Sequence, residues 1–216
     1  MGLMIHVRRY SSQSKLTTLF KLTMSSFGSQ AMILTSASPK DETFHNLHGM
    51  TLSSVCSLSI LPKPLMQFNL HLPSYTSDSL HRCGYLALHI LPPTPNSVKL
   101  GRIFAKGIKM NKSGQEILKT TNQELKDGEV FHEMTKPFEK LSSKDYSFKY
   151  IDNFKLPILS DSEKVIICKT EKSFNVDNHE IWIVHVLEII DNLTQKSGGL
   201  LYFNRGFYKI GESLLE

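Results

Sequence analysis

Residues 48–60 read His-Gly-Met-Thr-Leu-Ser-Ser-Val-Cys-Ser-Leu-Ser-Ile. Leu52, Cys56, Leu58 and Ile60 fall on one parity, and Thr51, Ser53, Ser57 and Ser59 on the other. Successive side chains of a strand point to opposite faces, so this alternation belongs to a half-buried strand. The spacing predicts one strand over 50–61, with the apolar set inward and the hydroxyl set outward.

The flanking segments extend the pattern. Residues 30–37 (QAMILTSA) read as a strand, and 38–49 as a polar loop carrying His45 and His48. A further strand over 65–71 follows Pro62 and Pro64, which mark a turn or an edge because proline cannot donate to a ladder. Residues 84–91 (GYLALHIL) form an apolar strand stopped by Pro92 and Pro93. Late strands are expected at 163–170, 179–190, 200–203 and 207–210. A helix is expected over 96–106, capped by Asn96 or Ser97 and stopped at Gly107. The block 111–150 holds seven Lys and seven acidic residues. It predicts a solvated helix over 115–126, loop elsewhere, and a surface insertion spanning 110–150. Many short strands, few helices and no β-α alternation indicate an antiparallel barrel. No G-x-G-x-x-G or Walker sequence supports a nucleotide-binding α/β fold.

With 216 residues, 40% hydrophobic and 21% charged, the chain is too apolar for disorder and long enough for one sizeable domain. No run approaches the length of a membrane helix, and the best, 181–190, is interrupted by His185 and Glu188. The net charge of +5 has a local origin. Residues 1–24 contain four basic and no acidic residues, which leaves +1 for the remainder. A basic, Ser-rich, acid-free start is the composition of a mitochondrial transit peptide, and Arg8-Arg9-Tyr10-Ser11 looks like a matrix processing site. Residues 1–26 are therefore expected to be a targeting segment for the mitochondrial matrix, and 27–216 the folded domain. Nucleic acid is not expected as a partner, because the basic charge forms no patch with interleaved aromatics. Cys56, Cys83 and Cys168 form no C-x-x-C pair, and His45 and His48 lack further ligands, so neither a disulfide framework nor a metal site is expected.

The 48–60 stretch resembles the signature of flavin reductase-like proteins with the FMN-binding split barrel. The similarity continues in order through Pro64–Leu70, Pro73-Ser74-Tyr75-Thr76, Leu86–Leu91, Leu156–Leu159 and Leu200–Tyr208. Asp177-Asn178-His179 resembles the family's Gly-Asp-His turn, with Asp177 in place of its glycine and Asn178 in place of its aspartate. The resemblance implies a mainly β fold: a six-stranded antiparallel Greek-key split barrel with a few peripheral helices. It also implies a homodimer with FMN near its interface, and transfer of hydride from NADH or NADPH to the flavin.

A flavin mononucleotide needs donors for its phosphate and a backbone ledge for its ring. Thr51, Ser53 and Ser54 supply hydroxyls, the backbone of Met50 and Leu52 can add N–H groups, and Thr51 and Ser53 share a strand face. A solvent-facing Ser/Thr-rich strand would present the same residues. By the resemblance, Phe68, Asn69 and Leu70 present backbone to the ring, and Ser74 and Thr76 help hold the phosphate. Arg82 is the first candidate for the cationic partner, with Arg102 and Lys106 as alternatives. His179 stands beside the flavin as the candidate catalytic residue. No triad is needed, because the cofactors carry the chemistry. The alternative is a non-catalytic split-barrel binding or assembly protein in mitochondria, with 111–150 as its partner surface.

Overall fold

The computed structural model describes residues 15–43, 46–105, 108–110, 116–117, 130–132, 136–192 and 197–214. Helix α1 covers 15–25. There follow β1 (Ser29–Gln30), β2 (Met32–Ser36), β3 (Ser38–Pro39), β4 (Gly49–Leu52), β5 (Cys56–Ser59), β6 (Leu65–His71), α2 (Tyr75–Cys83), β7 (Tyr85–Ile90) and α3 (Pro95–Phe104). The second half holds β8 (Ile108–Met110), β9 (Glu116–Ile117), β10 (Val130–His132), a 3-10 turn (Pro137–Lys140), β11 (Tyr146–Ile151), β12 (Phe154–Leu159), β13 (Lys164–Val176), β14 (His179–Asp191), β15 (Leu201–Phe203) and β16 (Gly206–Tyr208). No helix among the described residues is long and apolar enough to cross a membrane.

Seven strands form the main sheet, in the order β4-β2-β7-β13-β14-β6-β5, with every pair antiparallel. The expected single strand over 50–61 is two strands at opposite edges of this sheet. Laid flat, the edges would stand roughly 29 Å apart at about 4.8 Å per strand. Only residues 53–55 separate β4 from β5, and the chain from Leu52 to Cys56 reaches roughly 14 Å at most. The sheet is therefore rolled, and 53–55 crosses between its edges. Ser54 at this crossing accepts a hydrogen bond from Asn69 N of β6 (3.2 Å).

The inner face of the roll carries Met32, Leu34, Met50, Leu52, Phe68, Leu70, Leu86, Leu88, Trp182 and Val184, closed by Cys168 and by Leu80 of α2. The period-2 pattern of β2, β4, β6 and β7 builds this core directly. The outer face is covered over only part of its width. Ile33 packs under Leu100 and Phe104 of α3, with Phe138 and Leu159. Tyr85, Ala87, Val165 and Ile167 pack under Leu156 of β12. By contrast, Cys56, Leu58, Ile60 and Leu61 are exposed, Leu61 by 82%. The sequence pattern had assigned Cys56, Leu58 and Ile60 to a covered face.

Other expectations shift. Helix α3 starts earlier than 96 because Thr94, not Asn96 or Ser97, is its cap: Thr94 Oγ1 accepts from Ser97 N (3.2 Å), and Pro95 fills the first turn. The helix ends at Phe104, before the expected stop at Gly107, which lies outside the described residues. Within the expected helix over 115–126, Glu116 and Ile117 are a strand paired with β8, and the other residues lie outside the described ones. Residues 146–150 are not loop. They belong to the β11–β12 hairpin, whose Tyr146 and Phe148 pack with buried Phe138 against the core.

Candidate functional site

The 50–54 segment divides by face. Met50 and Leu52 point into the core. The Thr51 hydroxyl donates to Gly101 O of α3 (2.7 Å), so Thr51 is engaged by that helix rather than free beside Ser53. Ser53 is exposed and Ser54 half-buried. Among the expected hydroxyls of this strand, Ser53 and Ser54 are the ones that face outward at the crossing.

The edge of β6 explains why the crossing forms a ledge. β5 pairs with β6 only at Leu65, Met66 and Gln67. Past Gln67, no strand among the described residues continues along this side of β6, and Ser54 exchanges bonds with Asn69 N and O there. The Phe68 and Leu70 side chains lie in the core, and because backbone groups alternate sides along a strand, theirs face β14 while those of Asn69 face this edge, which corrects the expectation that all three offer backbone here. A groove of about 180 Å³ opens here, lined by Ser54, Gln67, Phe68, Asn69 and Ile181. The sequence had indicated three of those five. Gln67 and Ile181 were missed, although Gln67 follows from the i, i+2 rule on β6 and Ile181 from its register opposite Asn69. A strand edge capped by Ser54, the neighbouring Ser53 hydroxyl and an apolar wall fit the ring system of a flavin. The groove is smaller than the roughly 300–1,000 Å³ of small-molecule sites.

His179 lies on the same face as Ile181, two residues along β14. It follows a two-residue turn, Asp177-Asn178, that joins β13 to β14. Asp177 has φ +50°, the left-handed region usually given to glycine, which aspartate tolerates better than most residues. His179 pairs in register with His71 of β6, their rings 5.0 Å apart and nearly perpendicular. Asn178 Nδ2 lies 2.9 Å from His71 Nε2. Neither His71 nor Asn178 had been picked out as a site residue by the sequence reading; a register between β6 and β14 was the missing information.

Among the described residues, the remaining candidates are not brought to this ledge by any contact. Ser74 is buried as the N-cap of α2, its Oγ accepting from Ser77 N (3.3 Å), and Thr76 is buried in the first turn. The expected turn at 73–76 is thus the start of a helix, which ends at Gly84 (φ +72°). Arg82 donates to Glu42 (3.2 Å), so the first choice for a phosphate partner already has a carboxylate. Arg102 lines a separate surface groove of about 540 Å³ with Lys99, Lys140, Val98, Ile103 and Pro95. Lys106 and His45 lie outside the described residues. His48 is buried and stacked on Tyr75 (5.2 Å), and burial, aided by Arg82, pushes its pKa down to about 4. A third groove, of about 440 Å³, lies beside α2 and includes Ser77, His81 and Glu180. Glu180 there is buried and accepts from Ser77 Oγ, with His81 Nε2 2.8 Å away. The contacts make it a latch that ties α2 to β14.

Comparison with known proteins places this geometry. The family model described as "Flavin reductase like domain" matches residues 24–211. A flavin reductase domain protein from Arthrobacter sp. FB24 has a similar structure, with TM-score 0.66 and 20% identity over 93% of this chain and 99% of that one. The flavin reductase HpaC complexed with NADP+ is similar at TM-score 0.61 and 22% identity, over 90% of this chain and 97% of that one. The NADH:FAD oxidoreductase SgcE6 of Streptomyces globisporus C-1027 is similar at TM-score 0.65 and 15% identity, over 94% and 92%.

Proposed function

This chain belongs to the flavin reductase-like family, and from that premise we propose that it is an FMN-binding oxidoreductase that transfers hydride from NADH or NADPH to flavin. The observation that carries the reading is the groove at the β6 edge by Asn69, capped by Ser54, walled by Ile181 and sharing its face with His179. Bound flavin would supply the hydride acceptor. The chain's residues bind and orient. Asn69 and the Ser54 that caps its backbone lie at the ring edge, Ser53 donates its hydroxyl, Ile181 excludes water from one side, and His179 flanks the position of the nicotinamide. Holding two flat rings in contact is the contribution the protein must make.

The reading extends to a homodimer. A groove of about 180 Å³ covers only part of an FMN, and exposed apolar side chains at Leu58, Ile60, Leu61, Phe174 and Val176 support a second copy as the missing wall. It extends also to the mitochondrial matrix, with residues 1–26 as the address. In support, Leu16, Leu19, Phe20 and Leu22 of α1 are exposed rather than packed. N-terminal sequencing of the mature protein from mitochondria tests that part.

One observation favours a non-catalytic split-barrel protein instead: the turn before His179 carries Asp177 and Asn178 where the family pattern has Gly and Asp. A visible spectrum of the purified protein with FMN, before and after anaerobic NADH or NADPH, separates the readings. Flavin absorbance bleached by the nicotinamide supports the oxidoreductase. Bound flavin that stays oxidised supports the non-catalytic protein, and no bound flavin rejects both flavin roles.

A further inference from the structure

We propose that His71 is a positioning residue for His179, held in one ring state by Asn178; the proposal builds on the reading that flavin lies on the Asn69 ledge. The register sets His71 directly opposite His179, on the face that carries Asn69 and Ile181. Their rings meet at 83° with centroids 5.0 Å apart, so His71 fills the β6 side of His179 and limits the orientations its imidazole can take.

Asn178 is tied to the end of β6 twice. Its carbonyl accepts from Leu72 N (2.8 Å), and its Nδ2 lies 2.9 Å from His71 Nε2. An amide N–H can only donate, so with the amide assigned this way Nε2 accepts and neutral His71 carries its proton on Nδ1. That Nδ1 is enclosed and has no partner among the described residues. An enclosed donor without an acceptor is unfavourable, so His71 gains nothing from this state by itself. Asn178 on one side and the His179 ring on the other retain it. Asn178 stands where the family pattern has aspartate. A carboxylate there could only accept from Nε2–H, whereas an asparagine amide can donate to Nε2 and so permits the opposite tautomer.

The test uses the full chain labelled with ¹⁵N, with long-range ¹H–¹⁵N spectra of the imidazoles, together with steady-state kinetics. The expected spectrum shows His71 protonated at Nδ1, inverting to Nε2 in Asn178→Asp, and His179 signals that move in His71→Gln. His71→Ala and Asn178→Ala should each lower kcat about tenfold, with the Kd for FMN within about twofold of the parent. The double variant should be no worse than either single one, because both remove the same support. His71→Gln, whose amide oxygen can still accept from Asn178, should recover most of the loss. An Nε2 proton on His71 in the parent protein, additive effects of the two alanines, or equal losses of FMN affinity and thermal midpoint in all variants would overturn the proposal. A parent protein that takes up no flavin and oxidises no nicotinamide overturns the flavin reading alone. The spectra still decide whether Asn178 and His71 set His179.

Discussion

The two flanks of the rolled sheet carry the same kinds of residue on the same outward parity, and they differ in what lies on top. On the β2–β7 flank, α3 and the β11–β12 hairpin cover the sheet. His89 there is fully buried: Nδ1 donates to Ile33 O (3.0 Å) and Nε2 accepts from Leu159 N (3.1 Å). Burial pushes its pKa down to about 4, so it is a neutral bridge between two strands. On the β6–β14 flank no layer among the described residues covers the outward side chains. Asn69 is exposed, and His71 and His179 are half-buried. An outward polar residue under a covering layer is consumed by structure, and the same residue on a bare flank remains available to a ligand.

The largest effect should come from the covered flank. His89→Ala removes the bridge and leaves two buried backbone groups unpaired, costing about 3 kcal/mol. Urea unfolding measures it, and a loss as small as that of His71→Ala would erase the distinction between the flanks. Next, Gly49→Ala on β4 would drive its Cβ into Leu34 O and to 2.9 Å from the Phe104 ring, beneath α3. Overpacking of this kind costs about 2 kcal/mol, read from the same denaturation curves.

Acid should weaken the covered flank selectively. His89 and His48 have folded pKa values near 4 against an ordinary 6.5. The unfolded chain therefore binds more protons between those values. The stability they contribute is complete above pH 6.5 and is lost as pH falls from 6.5 toward 4. The urea midpoint should drop over that range in the parent, and drop less in His89→Gln.

Substitutions on the bare flank should leave stability nearly alone and act on association. Leu61→Asp, at a position 82% exposed, should change unfolding free energy by less than about 0.5 kcal/mol. It should shift the sedimentation of a dimer toward monomer, and an unchanged mass would remove this edge from the proposed interface. A comparably small effect belongs to the tip of this flank. Asp177→Gly relieves a left-handed φ of +50° and should raise the thermal midpoint slightly, by about 0.5 kcal/mol of stability. A loss would mean that the Asp177 side chain contributes to the turn.

How much of this was readable beforehand differs by residue. The alternation in 48–60 identified strand geometry and put Ser53 and Ser54 together. It could not show that the chain leaves one edge of the sheet after Leu52 and joins the other at Cys56, because parity is the same in one strand or two. Ser54 and Asn69 were both candidates, yet their contact depends on that crossing. Arg82 looked available as a surface cation, and only the fold brings Glu42 to it from forty residues away. Ser74 was a phosphate candidate by resemblance, whereas the signals around it, a polar cap and Gly84 nine residues beyond Tyr75, describe a helix.

Local chemistry and period are written in the order of residues, and they determined the strands of the inner core, the Ser-rich crossing and the family to which the chain belongs. Which outward face would be covered was decided by α3 and the β11–β12 hairpin, elements far from it in sequence. The pairing of His71 with His179 was decided by the register of β6 on β14. Both depend on contacts between distant segments, and no local pattern encodes the distance between them.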